Sequence, residues 1–315
     1  MEIKRRDFLK IAAGSTLLLA AGENAFARGP NKMLPGALGI LYDATVCIGC
    51  KACQVACKQF NDMPVEHSSN EQIWDDPLDL SSKTLNIIKA YKDGTGETKD
   101  SEFNGYSFIK RHCMHCVDPA CVSACPVSAL TKTPENGVVK YNKDACIGCR
   151  YCQVACPFNI PKFEWDKPFP RIRKCQLCDH RYKEGKFSAC CEFCPTGASI
   201  FGNVNDLLAE ARRRLELKPG QYYNYPLAHV KSEFKSYRPV ANYQSHIYGE
   251  KEGGGTQYIM LAGVPFLKLG MPDLPEISDA NRSETLQHTI YKGMILPVTL
   301  LGGLLYAVYK NTKED

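Results

Sequence analysis

Hydrophobic and polar positions along this chain of 315 residues sort into a few short patterns separated by long irregular stretches. Gly293 to Tyr309, GMILPVTLLGGLLYAVY, contains no charged side chain. As a helix it is about 25 Å long, slightly short of the ~30 Å hydrocarbon core of a bilayer. It is predicted to be a single transmembrane helix over 293–309, with Tyr291 and Lys292 at one interface and Lys310 and Lys313 at the other; snorkelling lysines and local thinning make up the length. Pro297 then falls in the first turn, where helices accept it, and Gly302 and Gly303 form a flat face for another helix. Leu207, Leu208, Ala211 and Leu215 recur at helical spacing behind Asn205-Asp206, and Pro219-Gly220 stops that helix. Ala129 to Thr133 and Val138 to Tyr141 flank Pro134-Glu135-Asn136-Gly137, whose Asn-Gly favours a hairpin turn. Ser199 to Gly202 reads as another short strand.

Two regions carry little pattern. Pro64 to Asn104 is a polar insertion with one apolar patch near Leu85 to Ile88, expected to cap a site or dock a partner. Tyr222 to Thr289 is rich in Tyr, Pro and Gly without a period and reads as an extended segment. Gly253-Gly254-Gly255 lies within it, and no Gly-Lys-Ser/Thr context makes it a phosphate loop, so a flexible turn is expected.

The cysteines change the picture most. Sixteen of seventeen fall into four quartets, each ending in C-x3-C: Cys47/Cys50/Cys53/Cys57, Cys113/Cys116/Cys121/Cys125, Cys146/Cys149/Cys152/Cys156 and Cys175/Cys178/Cys190/Cys194. The first and third match the bacterial ferredoxin run C-x2-C-x2-C-x3-C, and Pro157 follows the third as that run requires. Pro126 and Pro195 follow the second and fourth; Lys58 takes that place after the first. Three cysteines on one tight loop can meet three corners of a cubane. The fourth, on the turn that follows, is expected to face away and to serve a second cluster, so quartets work in pairs. Four [4Fe-4S] clusters are therefore predicted, on two ferredoxin-like modules of an α+β fold. Cys190 keeps the x3 spacing to Cys194, which leaves Cys191 as a small buried hydrophobe. His112 and His115 stand within or beside the second quartet, whose ligand positions cysteines already fill, and are expected to be supporting or surface groups. No nucleophile or acid-base constellation accompanies the cysteines, so no catalytic residue is assigned.

The ends of the chain suggest a place. Lys4-Arg5-Arg6-Asp7-Phe8-Leu9-Lys10 precedes a mildly apolar stretch, Ile11 to Gly22, and a small-x-small site at Ala25-Phe26-Ala27, the pattern of a twin-arginine export signal over 1–27. Such a signal carries folded cargo, which reconciles thiolate clusters with an oxidising compartment, where many cysteines otherwise read as a disulfide scaffold. Zinc sites do not call for the repeated fourth cysteine. The expected domains are 1–27, a four-cluster body at 36–205 with an insertion at about 62–104, a helix and extended segment at 206–289, and the span at 293–309. The body is expected on the periplasmic side of the inner membrane with a cytoplasmic tail.

Formal charge is +5, and removing 1–27 (four basic, three acidic residues) leaves about +4. Four oxidised clusters at about −2 each bring the loaded protein to about −4. The basic residues thus offset clusters and do not call for nucleic acid. Lys110-Arg111, Arg171, Arg173 and Lys174 lie just before cysteine loops, where positive charge raises a cluster's potential.

Cys113-Met-His-Cys116-Val-Asp-Pro and Cys146-Ile-Gly-Cys149-Arg-Tyr-Cys152 resemble the large family of iron-sulfur subunits serving DMSO reductase, nitrate reductase and formate dehydrogenase. Tyr248-Gly-Glu-Lys-Glu-Gly-Gly-Gly-Thr-Gln257, Gln287-His288-Thr-Ile-Tyr-Lys-Gly-Met294 and the two terminal segments make the chain most similar to iron-sulfur subunits of the hydrogenase 2 type. The resemblance implies that Cys47, Cys50, Cys53 and Cys194 hold cluster 1, and Cys57, Cys175, Cys178 and Cys190 cluster 2. By the same resemblance Cys113, Cys116, Cys121 and Cys156 hold cluster 3, and Cys125, Cys146, Cys149 and Cys152 cluster 4. It also implies an electron relay between the small and large subunits of a periplasmic nickel-iron hydrogenase and a multi-span, quinone-reactive membrane subunit, after delivery by the twin-arginine export machinery. A relay for a molybdenum-dependent reductase or formate dehydrogenase is the alternative, and His288, near the membrane boundary, is a candidate for a quinone or partner site.

Overall fold

The computed structural model describes residues 31–68 and 76–312. The export signal expected over 1–27, and Lys313 beyond the span, lie outside these residues. Two compact units divide the chain, a body over 31–279 and a unit containing 280–312.

The body is a mixed α+β fold assembled from short elements. In chain order they are β1 (Leu38–Asp43), α1 (Ala52–Phe60), β2 (Ile87–Lys92), β3 (Thr98–Lys99), β4 (Gly105–Arg111), α2 (Ala120–Ser123), β5 (Leu130–Lys132), β6 (Val139–Tyr141), α3 (Tyr151–Ala155), β7 (Lys162–Phe163) and β8 (Ile172–Arg173). There follow α4 (Asp179–Lys183), α5 (Ala189–Glu192), β9 (Ser199–Asn203), α6 (Val204–Glu216), β10 (Tyr222–Pro226), β11 (Lys235–Pro239) and β12 (Tyr258–Leu261). The sheet at the centre runs β12-β1-β9, with β1 parallel to β12 and antiparallel to β9. Leu41, Ile200, Ile259 and Leu261 on this sheet bury against Leu207 and Ala211 of α6. Asn203 caps α6, its side chain accepting from the Asn205 N–H at 2.9 Å. The cap thus lies two residues before the expected Asn205.

A buried charge network fastens α6 to the end of β1. Arg214 Nη1 stands 2.9 Å from Asp43 Oδ2, and its Nε 2.9 Å from Glu210 Oε1. Tyr243 donates to the same Asp43 oxygen at 2.7 Å, and Asp43 Oδ1 accepts from the Thr45 N–H at 3.0 Å. The network therefore braces the chain where it enters the first cysteine loop.

The expected hairpin is β5 against β6, and Gly137 supplies the positive φ its turn needs. The insertion contributes β2, which pairs with β4. Ile87 and Ile88 are buried, and Asn86 Nδ2 donates to the Cys53 carbonyl at 2.9 Å, so the insertion caps the first cysteine helix. The region 222–289 is far more structured than its composition predicts. It contains the β10-β11 hairpin and β12, an outer strand of the central sheet whose four residues, Tyr-Ile-Met-Leu, are all buried and so carry no alternation. The Gly253-Gly254-Gly255 turn is ordered: the Val117 N–H donates to the Gly255 carbonyl at 2.9 Å, which pins the turn to the second cysteine loop.

The last helix, α7 (Asp279–Thr312), is 34 residues long, and a window of mean hydropathy 1.4 within it makes it long and apolar enough to cross a membrane. It begins well before the apolar run because Asp279 to Tyr291 is polar yet helix-compatible. Pro297 is therefore inside the helix, not in its first turn as expected, and interrupts the backbone ladder there. His288 lies on its exposed surface.

Candidate metal centres

All four cysteine loops share one backbone device. The third residue of each C-x-x-C, namely Gly49, His115, Gly148 and Leu177, has positive φ: 70°, 48°, 70° and 54°. In three loops that turn aims the same residue's N–H at the first cysteine's sulfur: Gly49 to Cys47 at 3.4 Å, Gly148 to Cys146 at 3.4 Å and Leu177 to Cys175 at 3.3 Å. Glycine adopts the conformation freely, whereas a histidine or leucine pays roughly 1 kcal/mol or more.

The third cysteine of each quartet sits on a short helix: Cys53 on α1, Cys121 on α2, Cys152 on α3 and Cys190 on α5. Cys57 is on α1 as well, one turn after Cys53, and both are buried. The expectation that the fourth cysteine faces away needs correction there. Residues at i and i+4 share a helix face, so Cys57 is set apart from Cys53 by about 6 Å of axial rise and not by direction. Cys125, Cys156 and Cys194 lie just past their helix ends.

The sulfurs assemble across quartets. Cys47 and Cys53 have Cys194 as an electrostatic neighbour. Cys57 is grouped with Cys175, Cys178 and Cys190, and these four line one cavity. Cys116 is grouped with Cys113, Cys121 and Cys156. Cys152 is grouped with Cys125, Cys146 and Cys149, which line a second cavity. Cys50 occupies the exposed side of the first loop. Neighbours also link one group to the next: Cys53 with Cys190, Cys175 with Cys113, and Cys121 with Cys152. The groups therefore follow one another in a row.

Burial first, and neighbouring sulfurs next, push these thiols up, Cys53 and Cys121 to about 12 and Cys152 to about 11. Lys110 works against the rise at Cys53, and Lys174 at Cys121. Cys190 goes the other way, to about 6, because the Cys191 thiol donates to it and Lys110 stands near. Cys191 itself is fully buried in the apolar core. Crowded sulfurs become stable thiolates only beside a compensating positive charge, which bound iron supplies.

The donor set fits a polynuclear cluster. All seventeen cysteines are free thiols. Four thiolates on one zinc would stand within about 4 Å of one another; among the described residues, no three His, Cys, Asp or Glu side chains form a single-ion site. The sulfurs ring space instead. A [4Fe-4S] cluster bound there supplies one-electron redox chemistry, and the chain supplies thiolates, N–H donors and shielding from water.

His112 and His115 are both buried, not at the surface. His112 Nδ1 bonds the Cys113 carbonyl at 2.8 Å, and His115 Nδ1 accepts from the Val139 N–H at 3.1 Å. Burial holds both well below the ordinary histidine range, so both are neutral. Lys132, which the sequence did not single out, is a further charge beside the second loop, donating to the carbonyls of Cys116 at 2.8 Å and Gly137 at 2.7 Å. The two outermost loops expose matched apolar pairs at identical loop positions, Ile48 with Val55 and Ile147 with Val154. Trp165 and Phe169 add exposed aromatic surface.

A cysteine array of this kind on an α+β body defines an iron-sulfur protein of the dicluster ferredoxin type, and the 4Fe-4S dicluster domain matches residues 105–204. The chain is 49% identical over 99% of its length to the hydrogenase-2 operon protein HybA of Escherichia coli O157:H7, covering 97% of that relative. It is 32% identical to the nitrate-inducible formate dehydrogenase iron-sulfur subunit of Escherichia coli K12, over 83% of this chain and 79% of the relative. The formate dehydrogenase iron-sulfur subunit of Haemophilus influenzae is 33% identical over 87% and 82%. The chain belongs to the HybA family and is an iron-sulfur electron-transfer subunit of an oxidoreductase complex.

Proposed function

We propose that this chain relays electrons through four [4Fe-4S] clusters between a periplasmic nickel-iron hydrogenase and a quinone-reactive membrane subunit. The observation that carries the relay is the row of sulfur groups, linked through Cys53 and Cys190, Cys175 and Cys113, and Cys121 and Cys152. The ligand sets are those read above: Cys47, Cys50, Cys53 and Cys194; Cys57, Cys175, Cys178 and Cys190; Cys113, Cys116, Cys121 and Cys156; Cys125, Cys146, Cys149 and Cys152. The first and last sets lie under the loops that expose Ile48 with Val55 and Ile147 with Val154. Each end of the row thus carries an apolar face on which a partner can seat within electron-transfer reach.

The hydrogenase partner is supported by near full-length similarity to a hydrogenase-2 operon protein. The membrane partner is supported by α7, and periplasmic delivery by the twin-arginine pattern over 1–27. Purification of the tagged full-length chain in mild detergent, with iron analysis and identification of the bound proteins, tests all of this. About sixteen irons per chain and a nickel-iron hydrogenase are expected, since each cluster carries four irons. Recovery of a molybdopterin enzyme overturns the hydrogenase assignment and leaves the relay; colourless, zinc-loaded protein overturns the relay.

A further inference from the structure

Two lysines stand where a lone cation is costly. Lys110 and Lys174 are both buried. Lys110 comes from the end of β4, which leads into the second cysteine loop, yet its amine donates to Ser199 Oγ at 3.1 Å, beyond the fourth quartet. Its sulfur neighbours are Cys190 and Cys53, of the fourth and first quartets, together with the non-quartet Cys191, and it also acts on Cys57. Lys174 immediately precedes the fourth loop, yet its amine reaches back to the Val139 carbonyl at 2.5 Å as well as to that of Cys175 at 3.0 Å. The sulfurs it acts on are Cys121 and Cys156, of the second and third quartets. Each lysine therefore delivers its charge to the module that its own loop does not belong to. Lys132 provides the contrast, because its charge stays with Cys116 and Cys113 of the adjoining loop.

We propose that Lys110 and Lys174 are crossed potential-setting residues: Lys110 raises the reduction potentials of clusters 1 and 2, and Lys174 that of cluster 3. The inference rests on the relay reading above. Each electron adds a negative charge to a cluster, and a fixed ammonium in a medium of low dielectric stabilises that added charge far more than it would in water. Desolvation opposes burying an ammonium, and the charge is kept where a fixed negative partner compensates it. The cysteine sets supply that partner once they are thiolates on iron. Around Cys152, burial and the sulfurs of Cys125, Cys146 and Cys149 lead, with no cation among the strongest influences. Cluster 4 is accordingly expected to respond least to both lysines.

The test is an electron-paramagnetic-resonance redox titration of the full-length chain in its membrane complex, with each signal assigned beforehand through Cys→Ser variants. Lys110→Met should make the reduction equilibria of clusters 1 and 2 at least tenfold less favourable, a fall of 59 mV for one electron, and leave clusters 3 and 4 in place. Lys174→Met should do the same to cluster 3 and spare cluster 1. A shift of cluster 3 by Lys110→Met, or no shift by either variant, overturns the proposal. Should a methionine variant fail to load iron, Lys110→Arg and Lys174→Arg decide, since retained charge must hold every potential at its parental value, and movement there overturns the proposal as well. A parental chain without [4Fe-4S] signals defeats the relay reading itself, an outcome distinct from all of these.

Discussion

The two cysteine modules are built on one plan but are protected differently. In the module of the first and fourth quartets, five of eight cysteines are buried, Cys47, Cys53, Cys57, Cys178 and Cys190. In that of the second and third quartets only Cys113, Cys121 and Cys152 are. The first has the central sheet beneath it and the β2-β4 pair over it, with Phe108 lying against Gly49. The second has a satellite core of Cys121, Leu130, Val139, Cys152 and Ile172, and two hairpins, β5-β6 and β7-β8. Identical local motifs therefore sit in different dielectric surroundings. Cluster potentials respond to burial and hydrogen bonding as much as to ligand type, so a repeated loop can provide sites of unequal potential.

The largest expected effect comes from removing what holds the deeper module up. Arg214→Met leaves Asp43 buried without its cation and leaves Glu210 only the exposed Arg213 at 3.3 Å, at a cost of about 3–5 kcal/mol. The yield of iron-loaded chain should collapse, with the first module's clusters lost before the second's, because Asp43 directly precedes the first loop. Retention of the parental iron content at parental thermal stability would remove the central sheet from the comparison. Next in size are single ligand losses. Cys194→Ser should abolish one cluster, about four irons, and leave the signals of the second module; Cys156→Ser should do the converse. Loss of a second-module signal in Cys194→Ser would break the pairing of first with fourth quartet.

Legibility in the sequence followed local chemistry. The hairpin at 130–141 could be read because Asn136-Gly137 sets its turn, and α6 because Leu207, Ala211 and Leu215 keep a helical period. β12 could not, since Tyr258 to Leu261 is buried on both faces and alternation vanishes. The long reach of Lys110 was hidden too: position along the chain put it beside the second quartet, and only tertiary packing brings it to Cys190. Spacing gave four quartets but not their partners. Which quartets meet depends on β9 returning the chain beside β1, a contact between segments 160 residues apart in register, Tyr42 with Ser199 being about that distance.

A smaller effect compares equivalent glycines in the two modules. Gly49 and Gly148 have the same φ of 70°. An added Cβ at Gly49 would meet the Phe108 ring at 2.6 Å, whereas at Gly148 the nearest atom is 3.5 Å away. Gly148→Ala should cost only the left-handed backbone, about 1–2 kcal/mol, and Gly49→Ala a further 1–3 kcal/mol or so for overpacking. The temperature at which visible absorption of the clusters is lost should therefore fall more for Gly49→Ala. Equal falls would mean that Phe108 moves aside and that the lid over the first module is soft.

The smallest effect on stability should fall on the two outer faces, where the modules look most alike. Val55 and Val154 occupy the same place in their loops and are 64% and 88% exposed. Neither packs into a core, so Val55→Asp and Val154→Asp should each change stability by no more than about 0.5 kcal/mol and keep their iron. What they should change is company. A charge placed in the apolar centre of a docking face must be desolvated against a partner without an answering cation, which weakens association far more than it weakens the fold. If the faces serve different partners, as the row of sulfur groups requires of a relay, each variant should lose a different protein from the detergent-purified complex while keeping the other. Loss of the same partner from both would place the two loops on one interface and end the reading of the modules as opposite ends of a path.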